Sequence, residues 1–250
     1  LLIGKGFASL MKEKGQTQII LGHDNRKSYD ELEKAIIEGV TSTGLDIIRI
    51  GFCVTPMTYF ARELLGIKPS IMITASHNPK EYNGFKMSYN GIHNIFGKEV
   101  SSLYDAIISG TYSNGNGFVE TADIKEDYIK MIHNHIDMGN NKLRVIYDCG
   151  NGTTSIVAPD IFKSTANIEY IPLFAESDGT FPNHHPDPAV EENLTILKEK
   201  VLELKADCGI AFDGDGDRVG VVDEKGNIVK SFMIPSNDVQ GQVSMEFNSE

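Results

Sequence analysis

The sequence predicts an α/β protein built as two consecutive α/β/α domains with mixed, mostly parallel sheets. Three observations predict it. Short apolar, β-branched runs alternate with amphipathic helical stripes, the order is strand, turn, helix, strand, and the rhythm restarts after Gly139-Asn140-Asn141. Such alternation favours a parallel sheet covered by helices. At 250 residues the chain is long enough for two ordinary domains.

The elements follow in order. Residues 1–14 are helix-like, with no strand before them. Gln18–Leu21 is an apolar strand that breaks at Gly22-His23-Asp24-Asn25-Arg26. Ser28 with Glu31 three residues on is a capping-box pattern, and the helix it opens carries Leu32, Ala35, Ile36 and Val40 on one face. Leu45–Ile50 is the next strand. Pro56 starts a helix expected to turn Phe60, Leu64 and Leu65 inward. Ser70–Ile73 is a third strand and runs straight into Thr74-Ala75-Ser76-His77-Asn78-Pro79. Helices are expected from Gly97 to Ile108 and from Ile124 to Ile136, around a soft Ser113–Gly117 segment. The second cycle has strands at Leu143–Tyr147, Ile168–Phe174, Cys208–Phe212 and Arg218–Asp223, with a helical stripe of Leu194, Leu197, Val201 and Leu204. The expected domains are 1–138 and 139–235, followed by a polar tail, 236–250, without a clear period.

Composition excludes some functions. The net charge of -12 argues against nucleic acid, whose phosphates need clustered Lys and Arg. It leaves room for a small phosphorylated substrate, because a bound cation overrides the global sign locally. No apolar run is long enough to span a bilayer, and no signal-peptide pattern opens the chain, so no membrane partner is expected. Cys53, Cys149 and Cys208 are odd in number and lie in or beside strands, which reads as buried free thiols in a reducing, cytoplasmic setting. Two glycosylation-like triplets, at Asn151 and Asn193, carry little weight without a secretory signal.

The sharpest chemical signal is Asp213-Gly-Asp215-Gly-Asp217-Arg218. Carboxylates at alternate positions, spaced by glycines, let a tight loop aim hard oxygen ligands at one point, as Mg2+ and Ca2+ require. Without a cation they would repel. An EF-hand register exists, with Glu224 at position twelve, but position six is Arg218 instead of Gly and the flanks read as strands. Thr74–Pro79 supplies a second signal. A serine at the carboxyl end of a strand is well placed for ligand chemistry and could carry a phosphoryl group. His77 and Asn78 are hydrogen-bond donors there, although the same turn serves as an ordinary cap. In Asn83-Gly84-Phe85-Lys86, a turn presents Lys86 as a candidate acid, base or phosphate stabiliser. Arg26 is a candidate phosphate clamp. Gly4–Ser9 lacks the strand a dinucleotide turn needs, and His184-His185 is a rigid polar loop without further metal-ligand spacing.

Taken together in order, these motifs resemble the alpha-D-phosphohexomutases, the phosphoglucomutase and phosphomannomutase group. Gly22–Arg26 is similar to the first-domain arginine loop. Thr74–Pro79 with Tyr82–Lys86 is similar to the phosphoserine loop and its lysine. Phe181–Pro188 is similar to a second-domain segment, and Asp213–Arg218 to the metal loop. The resemblance runs from about Leu1 to Lys230 and covers the first two of the family's four domains, without the opening Gly-rich loop. It implies a hexose 1-phosphate/6-phosphate isomerase working through a phosphoserine at Ser76 and a bisphosphate intermediate. Lys86, Arg26 and His77 would assist catalysis, while Arg218, Asn78 and Arg26 would hold phosphate. Mg2+ would sit on Asp213, Asp215, Asp217 and an oxygen of phosphorylated Ser76, with a hexose 1,6-bisphosphate as activator. Domains three and four, which would select the sugar and grip its existing phosphate, lie outside this chain. A non-catalytic Mg2+-binding fragment and a metal-dependent sugar phosphatase are the alternative readings.

Overall fold

The structure, a computed structural model, describes residues 1–90, 93–136, 139–140 and 142–229. The expected tail 236–250 lies outside these residues, as do residues 230–235. The first sheet contains β1 (Gln18–His23), β2 (Asp46–Phe52), β3 (Ser70–Ile73), β4 (Phe85–Ser88) and β5 (Val119–Thr121), in the order β4-β3-β1-β2-β5. Only β4 runs antiparallel, against β3. The second contains β6 (Leu143–Asp148), β7 (Ile168–Leu173), β8 (Cys208–Phe212) and β9 (Val219–Asp223), in the order β7-β6-β8-β9, with β9 antiparallel to β8. Both sheets are thus mixed and mostly parallel.

Alternation along β1 shows why helices cover both faces. Ile19 and Leu21 enter one core with Phe7 and Met11 of α1 (Leu2–Glu13), Ile36 and Val40 of α2 (Tyr29–Thr41) and Leu103 of α4 (Lys98–Ser109). Ile20, between them, enters a second core with Met57 and Ala61 of α3 (Thr55–Leu65) and Tyr128 of α5 (Lys125–His135). A strand buried on both faces must read apolar throughout, as β1 does. The second sheet repeats the plan. Ile146 packs on Leu197 and Val201 of α7 (Thr195–Leu204), while Tyr147 faces Ala158 and Phe162 of α6 (Ala158–Ser164). Val157, from the second lobe, sits in the second core of the first lobe, so the two lobes share apolar packing.

Several expectations are corrected. Leu64 and Leu65 are 44% and 37% exposed, because the inward row of α3 is Met57, Thr58, Ala61 and Arg62. Ser28 makes no cap bond; its hydroxyl accepts from Asn83 Nδ2 instead, so no capping box forms. Cys208 is only half-buried, unlike Cys53 and Cys149. The segment containing Lys86 is a strand, β4, where a turn was expected. Its Phe85 and Met87 pack into the first core, which sends Lys86 to the other face, towards the second lobe.

Candidate active site

Two strand-end loops meet. The serine loop leaves β3 and puts Ser76 in the left-handed region (φ 53°), which a non-glycine residue holds only when its neighbours enforce it. Here they do. The Ser76 N–H donates to Thr74 Oγ1 (2.9 Å), and its carbonyl accepts from Arg26 Nη2 (2.7 Å). The Ser76 hydroxyl, almost fully buried, donates to Asp213 Oδ2 at 2.6 Å.

The acidic loop joins β8 to β9. It is the turn of an antiparallel hairpin and has no helical flanks, which excludes the EF-hand register. The backbone N–H groups of Asp217 and Arg218 donate to Asp213 Oδ1, at 3.0 and 3.1 Å. Glycine is required twice. A Cβ on Gly214 would stand 2.5 Å from the Ser76 carbonyl oxygen, and Gly216 has φ +74°. The close approach of loop to loop therefore depends on the glycine spacing itself.

Asp213, Asp215 and Asp217 present carboxylate oxygens within 4.8 Å of one another, the one such cluster of potential metal ligands among the described residues. The donor set fits a hard divalent cation on one further observation. Asp215 is fully buried, yet its Oδ1 has no hydrogen-bond partner. Burial, and then the charge of Asp215, push Asp213 up to about 7, as expected for carboxylates packed together without a cation. Lys86 partly balances them, with Nζ 2.7 Å from Asp215 and 2.5 Å from Asp217. Burial alone would lower the Lys86 pKa, but the charge of Asp215 and the bonds to both aspartates outweigh it, so the ammonium is held above its ordinary value. Burial alone would raise Asp215, but the charge and hydrogen bond of Lys86, with the Thr55 hydroxyl, outweigh it and hold Asp215 below its ordinary value.

The remaining expected residues divide. Arg218 Nη1 donates to His77 Nδ1 at 2.7 Å, which joins the two loops at the solvent edge. Asn78 is exposed; only its backbone contributes to the loop, through the carbonyl that accepts from Arg26. Arg26 is corrected from phosphate clamp to loop anchor. It is fully buried, and its five N–H donors go to Asp24 Oδ2 and to the carbonyls of Pro79, Tyr82, Ser76 and Asn78. None remains for a phosphate. His184 is bonded to buried Asp148 (2.9 Å) and is not part of the acidic cluster. Pro186, two residues on, lies against Gly150 and Gly214 and buttresses the acidic loop from behind.

Sequence reasoning missed Thr55 and Thr74, whose hydroxyls bond to Asp215 Oδ2 at 2.6 and 3.1 Å. Neither belongs to a charged motif. The one available sign was Thr74's place beside the serine.

Fold and site together define a two-lobed α/β/α protein that brings a serine hydroxyl to a cluster of three aspartates. Comparison with known proteins supplies the family. The models described as "Phosphoglucomutase/phosphomannomutase, alpha/beta/alpha domain I" and "domain II" match residues 1–113 and 126–226. The chain belongs to this family. It is 40% identical over 227 residues to a phosphomannomutase/phosphoglucomutase of Pseudomonas syringae pv. tomato, covering 91% of this chain and 48% of the relative. It is 39% identical over 243 residues to a phosphoglucomutase of Neisseria meningitidis serogroup B, covering 95% of this chain and 52% of that one. A crystal structure of a family protein from Burkholderia thailandensis superposes with a TM-score of 0.85 at 37% identity, over 91% of this chain and 51% of the other. The chain spans about half the length of the curated relatives it matches. Among the described residues, no helix is long and apolar enough to cross a membrane.

Proposed function

We propose that this chain is the phosphoryl-carrying half of a phosphohexomutase, which interconverts hexose 1-phosphate and hexose 6-phosphate through a phosphoserine at Ser76 and a hexose bisphosphate. The observation that carries the reading is the 2.6 Å bond between the Ser76 hydroxyl and Asp213 across the two lobes. Phosphoryl transfer needs little covalent help. It needs alignment and neutralised charge on the phosphoryl oxygens.

Mg2+ held by Asp213, Asp215 and Asp217 would supply most of that neutralisation. The chain's own residues do the rest. The left-handed turn at Ser76, fixed by Thr74 and Arg26, points Oγ at the cage and not at solvent. A free hydroxyl of the sugar would attack phosphorus as the bond from phosphorus to Ser76 Oγ breaks, and the proton the sugar gives up is matched by the one the released Ser76 Oγ takes, so none is gained or lost overall. In the return step Ser76 Oγ takes the other phosphate of the bisphosphate. Lys86, held as an ammonium at the cage, neutralises phosphoryl oxygens and is the nearest proton donor. The Arg218–His77 pair and the exposed Asn78 border the site where a hexose phosphate would enter.

The test is incubation with hexose 1,6-bisphosphate and Mg2+, followed by peptide mass spectrometry. The expected result is one phosphoryl group on Ser76 in the wild type and none in Ser76→Ala, whose fold is intact by circular dichroism. Stoichiometric labelling of the Ala variant defeats the assignment. Release of free phosphate in step with bisphosphate loss makes the chain a phosphatase, and Mg2+ binding without any phosphoserine makes it a non-catalytic module.

A further inference from the structure

Asp215 is treated differently from its two neighbours. Its Oδ2 accepts from three first-lobe groups: Thr55 Oγ1 at 2.6 Å, Thr74 Oγ1 at 3.1 Å and Lys86 Nζ at 2.7 Å. Its Oδ1 is equally buried and accepts from none. The Thr55 N–H, at the first turn of α3, also donates to the Asp215 carbonyl at 2.9 Å. Both the side chain and the backbone of a second-lobe aspartate are thus gripped by the first lobe. The α3 N-terminus adds a favourable partial charge next to the carboxylate.

We infer that Thr55 and Thr74 are specificity-determining positioning residues. They commit one oxygen of Asp215 to the protein, so that only the other is offered to the cation. This rests on the proposed metal cage. The consequence is a choice between ions. Mg2+ takes about six ligands in near-ideal octahedral geometry, each carboxylate giving one oxygen. Ca2+ accepts about six to eight and readily takes both oxygens of a carboxylate. Three donors on Oδ2 forbid the two-oxygen mode at Asp215 and so disfavour the larger ion. Thr74 also ties ion choice to the carrier loop, since its hydroxyl accepts from the Ser76 N–H while donating to Asp215. Outer partners of this kind commonly set metal affinity by about 10- to 100-fold.

The test is calorimetric titration of the wild-type chain, Thr55→Val, Thr55→Ser and Thr74→Val with Mg2+ and, separately, with Ca2+. In Thr55→Val the Mg2+ affinity is expected to fall about tenfold while Ca2+ affinity holds or rises, so the preference for Mg2+ drops by a similar factor. Thr55→Ser, which keeps the hydroxyl, restores the wild-type ratio. Thr74→Val moves the ratio the same way and carries the prediction if Thr55→Val fails to fold. An unchanged ratio in folded Val variants, or an equal loss for both ions, overturns the positioning role and leaves the cage reading standing. Failure of the wild type to bind either ion overturns the cage reading and this inference with it.

Discussion

The serine loop and the acidic loop meet in one site but are held by opposite means. The serine loop contains its own cation. Arg26 lies inside it and bonds four of its backbone carbonyls, so the loop is complete without any ligand. The acidic loop is built from backbone N–H groups and carboxylates and has a charge surplus that Lys86 meets only in part. One loop is complete in itself, and the other carries a surplus of negative charge. With the Ser76 hydroxyl on the first and the clustered carboxylates on the second, the proposed carrier's geometry would be set by the protein alone, while charge balance would call for a cation.

The largest break in this comparison comes from the anchor. Arg26→Leu leaves Asp24 buried without its partner and orphans four carbonyls. It should destabilise the chain by about 3–5 kcal/mol, measured by urea denaturation. Arg26→Lys should not recover this, because an ammonium cannot span the same five bonds. The acidic loop should respond less in stability and more to ions. Asp215→Asn is expected to weaken Mg2+ binding about 10- to 100-fold by calorimetry and to reduce the rise in melting temperature that Mg2+ gives the wild type. An unchanged titration would count against the cage.

The smallest effect sharpens the contrast behind the acidic loop. Burial lowers the His184 pKa, but the hydrogen bond and charge of Asp148 outweigh it, so it stands above its ordinary value of 6.5 in the folded chain. A raised histidine stabilises fully below the unfolded value, and that contribution is lost as pH rises through the folded one. Stability should therefore fall as pH rises from 6.5 through the folded value, and Asp148→Asn should flatten the dependence. A melting temperature that does not vary across that window in the wild type would remove the pair's role.

What the sequence made legible was whatever a local pattern carries. The strand and helix rhythm, Ser76 at a strand end and the glycine-spaced aspartates all reappear in place. What it hid depends on contacts between distant segments. Arg26 sits in a turn like any surface arginine, and only folding shows its guanidinium buried beneath residues 76–82. The edge strand β4 is four residues long and begins beside a glycine, so its period was too short to read, though it alone decides where Lys86 points. Thr55 and Thr74 carry no charge and follow no spacing rule. Their role appears only when the second lobe delivers Asp215 to them.

Both loops form one site, in which a phosphoryl group on Ser76 would lie beside the proposed cation. Mn2+ in place of Mg2+ tests this directly through the phosphorus NMR signal of the phosphoserine form. One equivalent of Mn2+ is expected to broaden that signal beyond detection, and Asp215→Asn is expected to protect it. A sharp phosphoserine resonance in the presence of stoichiometrically bound Mn2+ would contradict that arrangement.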